Sequence, residues 1–131
     1  MAGIQRPRPE GEVSVKKPGQ VALVPFPQAD LTPGKPRPVL LLARVPGAYE
    51  DWLVCMFSTK LHQAVQGFDD VIDSTASDFA QSGLKVSSVI RVARLAVVSE
   101  DMLVGRIGEI GEERLRRIQT RLADWILGEK W

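Results

Sequence analysis

Arg37 sits in the run Lys35-Pro36-Arg37-Pro38. A residue that precedes proline is pushed out of the α region, so this backbone is extended and stiff. Stiffness lowers the entropy lost when a side chain grips an anion, and the planar guanidinium fork matches two oxygens of a phosphate. The apolar runs Val39–Ala43 and Leu53–Phe57 are joined by nine residues and read as an antiparallel pair. If Ala43 faces Leu53, Arg37 lies opposite Thr59 and beside Ser58; a slip of one residue places it opposite Ser58. Either register brings a guanidinium next to two hydroxyls, and Lys35, Lys60 and His62 belong to the same edge. Histidine is the residue type that exchanges protons near neutrality, so His62 is a candidate general base as well as an ordinary solvated loop residue. Arg37 has a plain reading too: a surface arginine whose prolines only deter edge pairing.

These residues need a sheet to hold them. Val21–Val24 is a short apolar run that reads as a strand closed by Pro25 and Pro27. Thr32-Pro33-Gly34-Lys35 has the chemistry of a type II turn. Strands follow at Val39–Ala43 and Leu53–Phe57, with shorter ones expected at Phe68–Ile72 and Gly105–Glu109. The β-branched segment Val86–Val98 reads as one long bent strand or two short ones. One helix is clear, Glu112–Leu127, with Leu115, Ile118, Leu122, Trp125 and Ile126 on a single stripe and Gly128 at its C-terminal cap. Several short strands and one helix suggest a small antiparallel barrel or sheet covered by that helix. Residues 1–18, rich in proline, glycine and basic side chains, read as a flexible extension, and residues 19–131 as one domain.

Composition limits the functions available. The chain has 131 residues with 17 Lys and Arg against 16 Asp and Glu, a balance unlike a histone or an acidic tail. The charge is nonetheless segregated: residues 64–83 hold four Asp and no base, and residues 84–98 hold Lys85, Arg91 and Arg94 with no acid. Asp69, Asp70, Asp73 and Asp78 are expected on a solvated face rather than as a magnesium site. One His and one Cys cannot make a tetrahedral zinc site, and no metal or cofactor is expected. No run approaches the length of a membrane helix and no secretory signal is evident, so a reduced cytoplasmic setting is the expectation. Trp52 and Tyr49 have the chemistry to stack a base, but their loop falls at the far end of the strand pair from Arg37, which favours packing.

The segment Gly19-Gln-Val-Ala-Leu-Val-Pro-Phe-Pro-Gln-Ala-Asp-Leu-Thr-Pro-Gly-Lys-Pro-Arg-Pro-Val-Leu-Leu-Leu42 resembles the opening of the MazF/PemK toxin family. Val54-Cys-Met-Phe-Ser-Thr-Lys60, Ser82-Gly-Leu-Lys-Val-Ser-Ser-Val-Ile-Arg-Val92 and the final helix fit as well. The resemblance implies a mainly β fold, a small SH3-like antiparallel barrel with a C-terminal α-helix, assembled as a homodimer. It implies a type II toxin–antitoxin mRNA interferase that cleaves single-stranded RNA without metal, leaving a 2′,3′-cyclic phosphate, and that is restrained by a cognate antitoxin peptide. The family's catalytic arginine falls on Arg37. Its second residue, a threonine, falls on Ser58, which keeps the hydroxyl, with Thr59 as a neighbour able to substitute. Two other functions remain open: an inactive barrel that only binds nucleic acid or protein, and gyrase poisoning of the CcdB kind. The latter relies on a Trp-Gly-Ile ending where this chain has Gly128-Glu-Lys-Trp131. The helix and Val21–Val24 are the candidate dimer contacts.

Overall fold

The computed structural model describes residues 17–27 and 33–131. Six strands form one antiparallel sheet: β1 Gln20–Pro27, β2 Pro33–Arg44, β3 Asp51–Ser58, β4 Asp70–Ile72, β5 Ser88–Ser99 and β6 Gly105–Glu109, in the spatial order β4-β5-β3-β2-β1-β6. A one-turn helix, α1 (Phe79–Ser82), precedes β5, and the long helix α2 (Glu112–Ile126) follows β6. The sheet is a curled half-barrel with α2 against it.

Alternation along the strands sorts the core into two layers. Val21, Leu40, Leu42, Cys55, Ile90 and Val92 pack with Ile118 and Leu122 of α2 on one face. Ala22, Val24, Val39, Leu41, Trp52, Val54 and Val98 form the other layer, to which no helical residue contributes. Trp52 is 2% exposed and belongs to it, so packing is its role.

Several local expectations need correction. Pro25 does not end β1: pairing continues through Pro25↔Pro36 to Pro27↔Pro33, with an irregularity between them, and Pro27 is the last residue of the strand. Pro33, Gly34 and Lys35 are therefore strand rather than turn, and Thr32 lies outside the described residues, as do residues 1–16 of the expected extension. The Lys17 ammonium lies 3.3 Å from Glu109. The β2–β3 register shifts between Leu41 and Ala43, a bulge that leaves Leu42 without a ladder partner on β3. Gln119 of α2 donates to its carbonyl at 3.0 Å.

The acidic segment is also not a solvated face. Asp69, Asp70 and Asp78 are 8%, 5% and 7% exposed. Arg114, Arg117 and Arg121, on successive turns of α2, all bond to Asp70, and Arg114 also takes Asp78. Buried charge persists when paired and hydrogen-bonded, and here the anions are the seat on which α2 is fixed. Only Asp73 stays exposed, its carboxylate capped by the Thr75 amide and hydroxyl at 2.8 Å each. Across the sheet, α1 meets β6 with no side chain between them. A Cβ on Gly108 would overlap backbone atoms of Gln81 and Ser82, and one on Gly83 would overlap the Ile107 carbonyl.

Candidate functional site

At the end of the sheet where β2 begins and β3 finishes, the β2–β3 ladder stops at Val39↔Met56. Pro38 is next, and proline has no N–H to continue a ladder. Carried two residues further, the register brings Arg37 level with Ser58, the second of the two arrangements expected from the sequence. Arg37 pairs instead with Val24 on β1, so its backbone is anchored on one side and open on the other. Val24 and Val39 belong to the second layer and Met56 packs against it. By alternation Arg37 and Ser58 share that face.

Arg37 is exposed, and among the described residues nothing bonds its guanidinium. No carboxylate among the described residues pairs with it, unlike Arg91, Arg114, Arg117 and Arg121. Ser58 is half-buried, and its oxygen accepts the Lys60 amide at 3.1 Å. A hydroxyl has one proton to give and two lone pairs, so this bond orients Ser58 Oγ while leaving its O–H able to donate outward. Thr59 and Lys60 are exposed on the turn that follows. His62 lies in the 3₁₀ turn Leu61–Gln63, also exposed. Lys35 is exposed on β2, two residues before Arg37. The sheet end thus gathers Lys35, Arg37, Ser58, Thr59 and Lys60, with His62 one turn along the chain.

Two cations were not singled out from the sequence. Ser58 pairs with Val89 on β5, so the loop that enters β5 borders the same end and carries exposed Lys85. Arg91, opposite Met56 and diagonal to Ser58, is held by Asp69 at 3.1 Å. The positive run over residues 84–98 was the only signal for either. Tyr49 is exposed at the opposite end of β3, away from Arg37. Cys55, inside the first layer, has its thiol pushed up to about 12 by burial and by the nearby charge of Asp69; it is no nucleophile. Among the described residues no group of three or more His, Cys, Asp or Glu is placed to hold a metal ion, and no helix is long and apolar enough to cross a membrane.

A curled antiparallel sheet with one long C-terminal helix is the fold of the MazF toxins. The crystal structure of MazE-MazF (Form-II) from Deinococcus radiodurans matches with a TM-score of 0.62 at 18% identity, over 90% of this chain and 100% of that one. Mycobacterium tuberculosis toxin MazF-mt6 matches with a TM-score of 0.55 at 22% identity, over 88% of this chain and 100% of that one. No curated protein sequence matches. The family model described as PemK-like, MazF-like toxin of type II toxin-antitoxin system matches residues 17–126. The chain belongs to this family.

Proposed function

We propose that the protein is an endoribonuclease toxin that cuts single-stranded RNA at selected sequences without a metal, using Arg37 and Ser58. The reading is supported above all by one observation: an exposed, unclaimed guanidinium stands level with a hydroxyl, on one face, across an open ladder.

Cleavage by the RNA's own 2′-hydroxyl has three requirements. A proton must leave the 2′-oxygen, negative charge on the pentacoordinate phosphorus must be stabilised, and the departing 5′-oxygen must receive a proton. The products are a 2′,3′-cyclic phosphate and a 5′-hydroxyl. Arg37 supplies fixed donors for the developing charge, often the largest catalytic contribution. Its high proton affinity makes it a poor base, so its roles are to stabilise the developing charge and to act as the acid that gives the departing 5′-oxygen its proton. Ser58 donates to a phosphate oxygen, held by the Lys60 amide, with Thr59 adjacent. Lys35 and Lys60 attract the flanking phosphates, which adds affinity without reading sequence. His62 is the candidate for accepting the 2′-proton.

Two partners complete the proposal. An acidic antitoxin segment lies over the Lys35–Arg37–Lys60 edge, where it pairs the free cations and blocks RNA. A second copy of the chain packs on the end of α2, because Val21, Ala22 and Val24 are wholly buried and β1 has no free apolar face to offer. The chain acts in the cytoplasm, where mRNA is met.

The test is a long RNA incubated in EDTA with the wild-type protein and with Arg37→Ala, followed by mapping of the ends. Discrete cuts ending in 5′-hydroxyls by the wild type, reduced roughly 100- to 1,000-fold in the variant, are expected. RNA left intact over a wide range of sequences overturns the proposal in favour of a binding module, and equal cutting by the variant removes Arg37 from the mechanism.

A further inference from the structure

We propose that Asp69 is a positioning residue that fixes the turn between Ser58 and His62 from inside the fold; its link to cleavage rests on the reading of Arg37 and Ser58 given above. The Asp69 side chain is 3% exposed. Its Oδ2 accepts the Val65 amide at 2.9 Å and Arg91 Nε at 3.1 Å, and its Oδ1 accepts the Val92 amide at 3.0 Å. Arg91 in turn donates through NH1 to Gln63 Oε1 at 3.1 Å. One carboxylate therefore ties β5 to the segment that follows β3 at two places, Gln63 and Val65. Both lie within a few residues of Lys60, whose amide orients Ser58.

Little else holds this segment. Leu61, His62, Gln63, Val65 and Gln66 are all exposed, and Phe68 at its far end is the first buried side chain. A loop with few buried apolar contacts belongs to the least stable part of a fold. Its geometry is then set by polar bonds. Local backbone bonds such as Gln63 N–H to the Lys60 carbonyl at 3.0 Å and Ala64 N–H to the Leu61 carbonyl at 3.2 Å shape the turn. The side-chain bonds that tie it to β5 converge on Asp69. The β5 side of the clamp is also specialised. Pairing to β3 jumps from Cys55↔Leu95 to Met56↔Arg91, so residues 92–94 bulge from the ladder and the Val92 amide is available to Asp69. Arg91 needs its fork to reach Asp69 and Gln63 together, which a lysine ammonium cannot imitate. A small displacement of reacting groups by such a loosening costs up to roughly 100-fold in rate.

The experiment compares the full chain with Asp69→Asn, Arg91→Lys, Gln63→Ala and Arg37→Ala, by amide hydrogen exchange and by RNA cleavage kinetics. Asp69→Asn and Arg91→Lys are expected to speed exchange over residues 60–66 by about tenfold or more while amides of β1–β3 keep their protection. Both are expected to lower kcat by roughly 10- to 100-fold, with KM changed less than about threefold. Gln63→Ala, which leaves no buried charge unpaired, is expected to loosen the same segment to a smaller degree and keeps the test available if Asp69→Asn does not fold. Arg37→Ala is expected to lose cleavage with the segment's exchange unchanged. Unchanged exchange over 60–66, loosening spread evenly through the sheet, or full kcat in a folded Asp69→Asn each overturn the proposal. Should the wild type itself leave RNA intact, the nuclease reading fails, while the exchange pattern still decides what Asp69 holds in place.

Discussion

Ser58 is bonded twice over in the proposed site, once as acceptor from the Lys60 amide and once as donor to the phosphate. Ser58→Thr keeps both bonds, so initial cleavage rates should stay within about twofold of wild type. Ser58→Ala removes both and should slow cleavage by roughly 10-fold or more, the scale of a lost hydrogen bond to a reacting group. Equal rates for the alanine variant would leave Thr59 as the working hydroxyl. The place of Arg37 on an extended strand, near the end of β3, was legible in the sequence because its signal is local: two prolines fix the backbone, and the two following apolar runs form the pair. The choice between Ser58 and Thr59 was not, because it turned on a bulge at Leu42 whose carbonyl is bonded by Gln119, 77 residues along the chain. Cys55 gives a separate check at this scale. With the thiol pushed up to about 12, almost no thiolate forms at pH 8, and a disulfide reagent should label it only after unfolding.

Helix α2 reads in the sequence as an apolar stripe, and Leu115, Ile118 and Leu122 do pack on the sheet. Its other anchor, the bonds of Arg114, Arg117 and Arg121 to Asp70, was hidden because the partners are 44 to 51 residues apart. A run of aspartates looks solvated until its cations are located. For Asp70, burial alone would raise the pKa, but the bonds and charges of Arg117 and Arg114 outweigh it and hold the carboxyl below its ordinary value. Asp78 is lowered likewise, against its burial, by Arg114 and the Gly111 amide. The folded state thus keeps these charges more tightly than the unfolded chain. Their contribution is complete above the unfolded carboxylate pKa, about 4, and is lost as pH falls through the depressed folded values. Asp70→Asn should cost about 3 kcal/mol at pH 7 by urea unfolding, and its stability should then fall less steeply than wild type between about pH 4 and pH 2. The α1–β6 contact is stricter still. Gly108→Ala forces a methyl into the backbone of Gln81 and Ser82 and should lower stability by about 1–3 kcal/mol, read as a drop in Tm.

For the whole molecule, the mainly β class was visible as short apolar runs between turn formers and the long helix as its apolar stripe. The runs left open whether Val86–Val98 was one strand or two and whether the sheet stayed open or curled; the structure has one strand, Ser88–Ser99, in a curled half-barrel. Trp125, Ile126, Leu127 and Trp131 are 42%, 67%, 72% and 50% exposed at the end of α2, with Trp125 and Trp131 edge-on to Phe68. Apolar side chains gathered in this way mark a contact surface. Light scattering should find a dimer, and Leu127→Asp should shift it toward monomer without altering the circular dichroism of the fold. An unchanged mass would place the contact elsewhere.

The seating of α2 on Asp70 and Asp78 also bears on how the protein comes into being. Synthesis delivers the anions first and their counter-charges some 44 to 51 residues later, a wait of several seconds at about 5–20 residues per second. During that interval the nascent sheet carries carboxylates without the arginines that pair them, and its first layer lacks the cover of Ile118 and Leu122. A chain halted on the ribosome before Arg114 would lack every cation that seats α2 on Asp70 and Asp78, so the fold is completed only once almost all of the chain has been made.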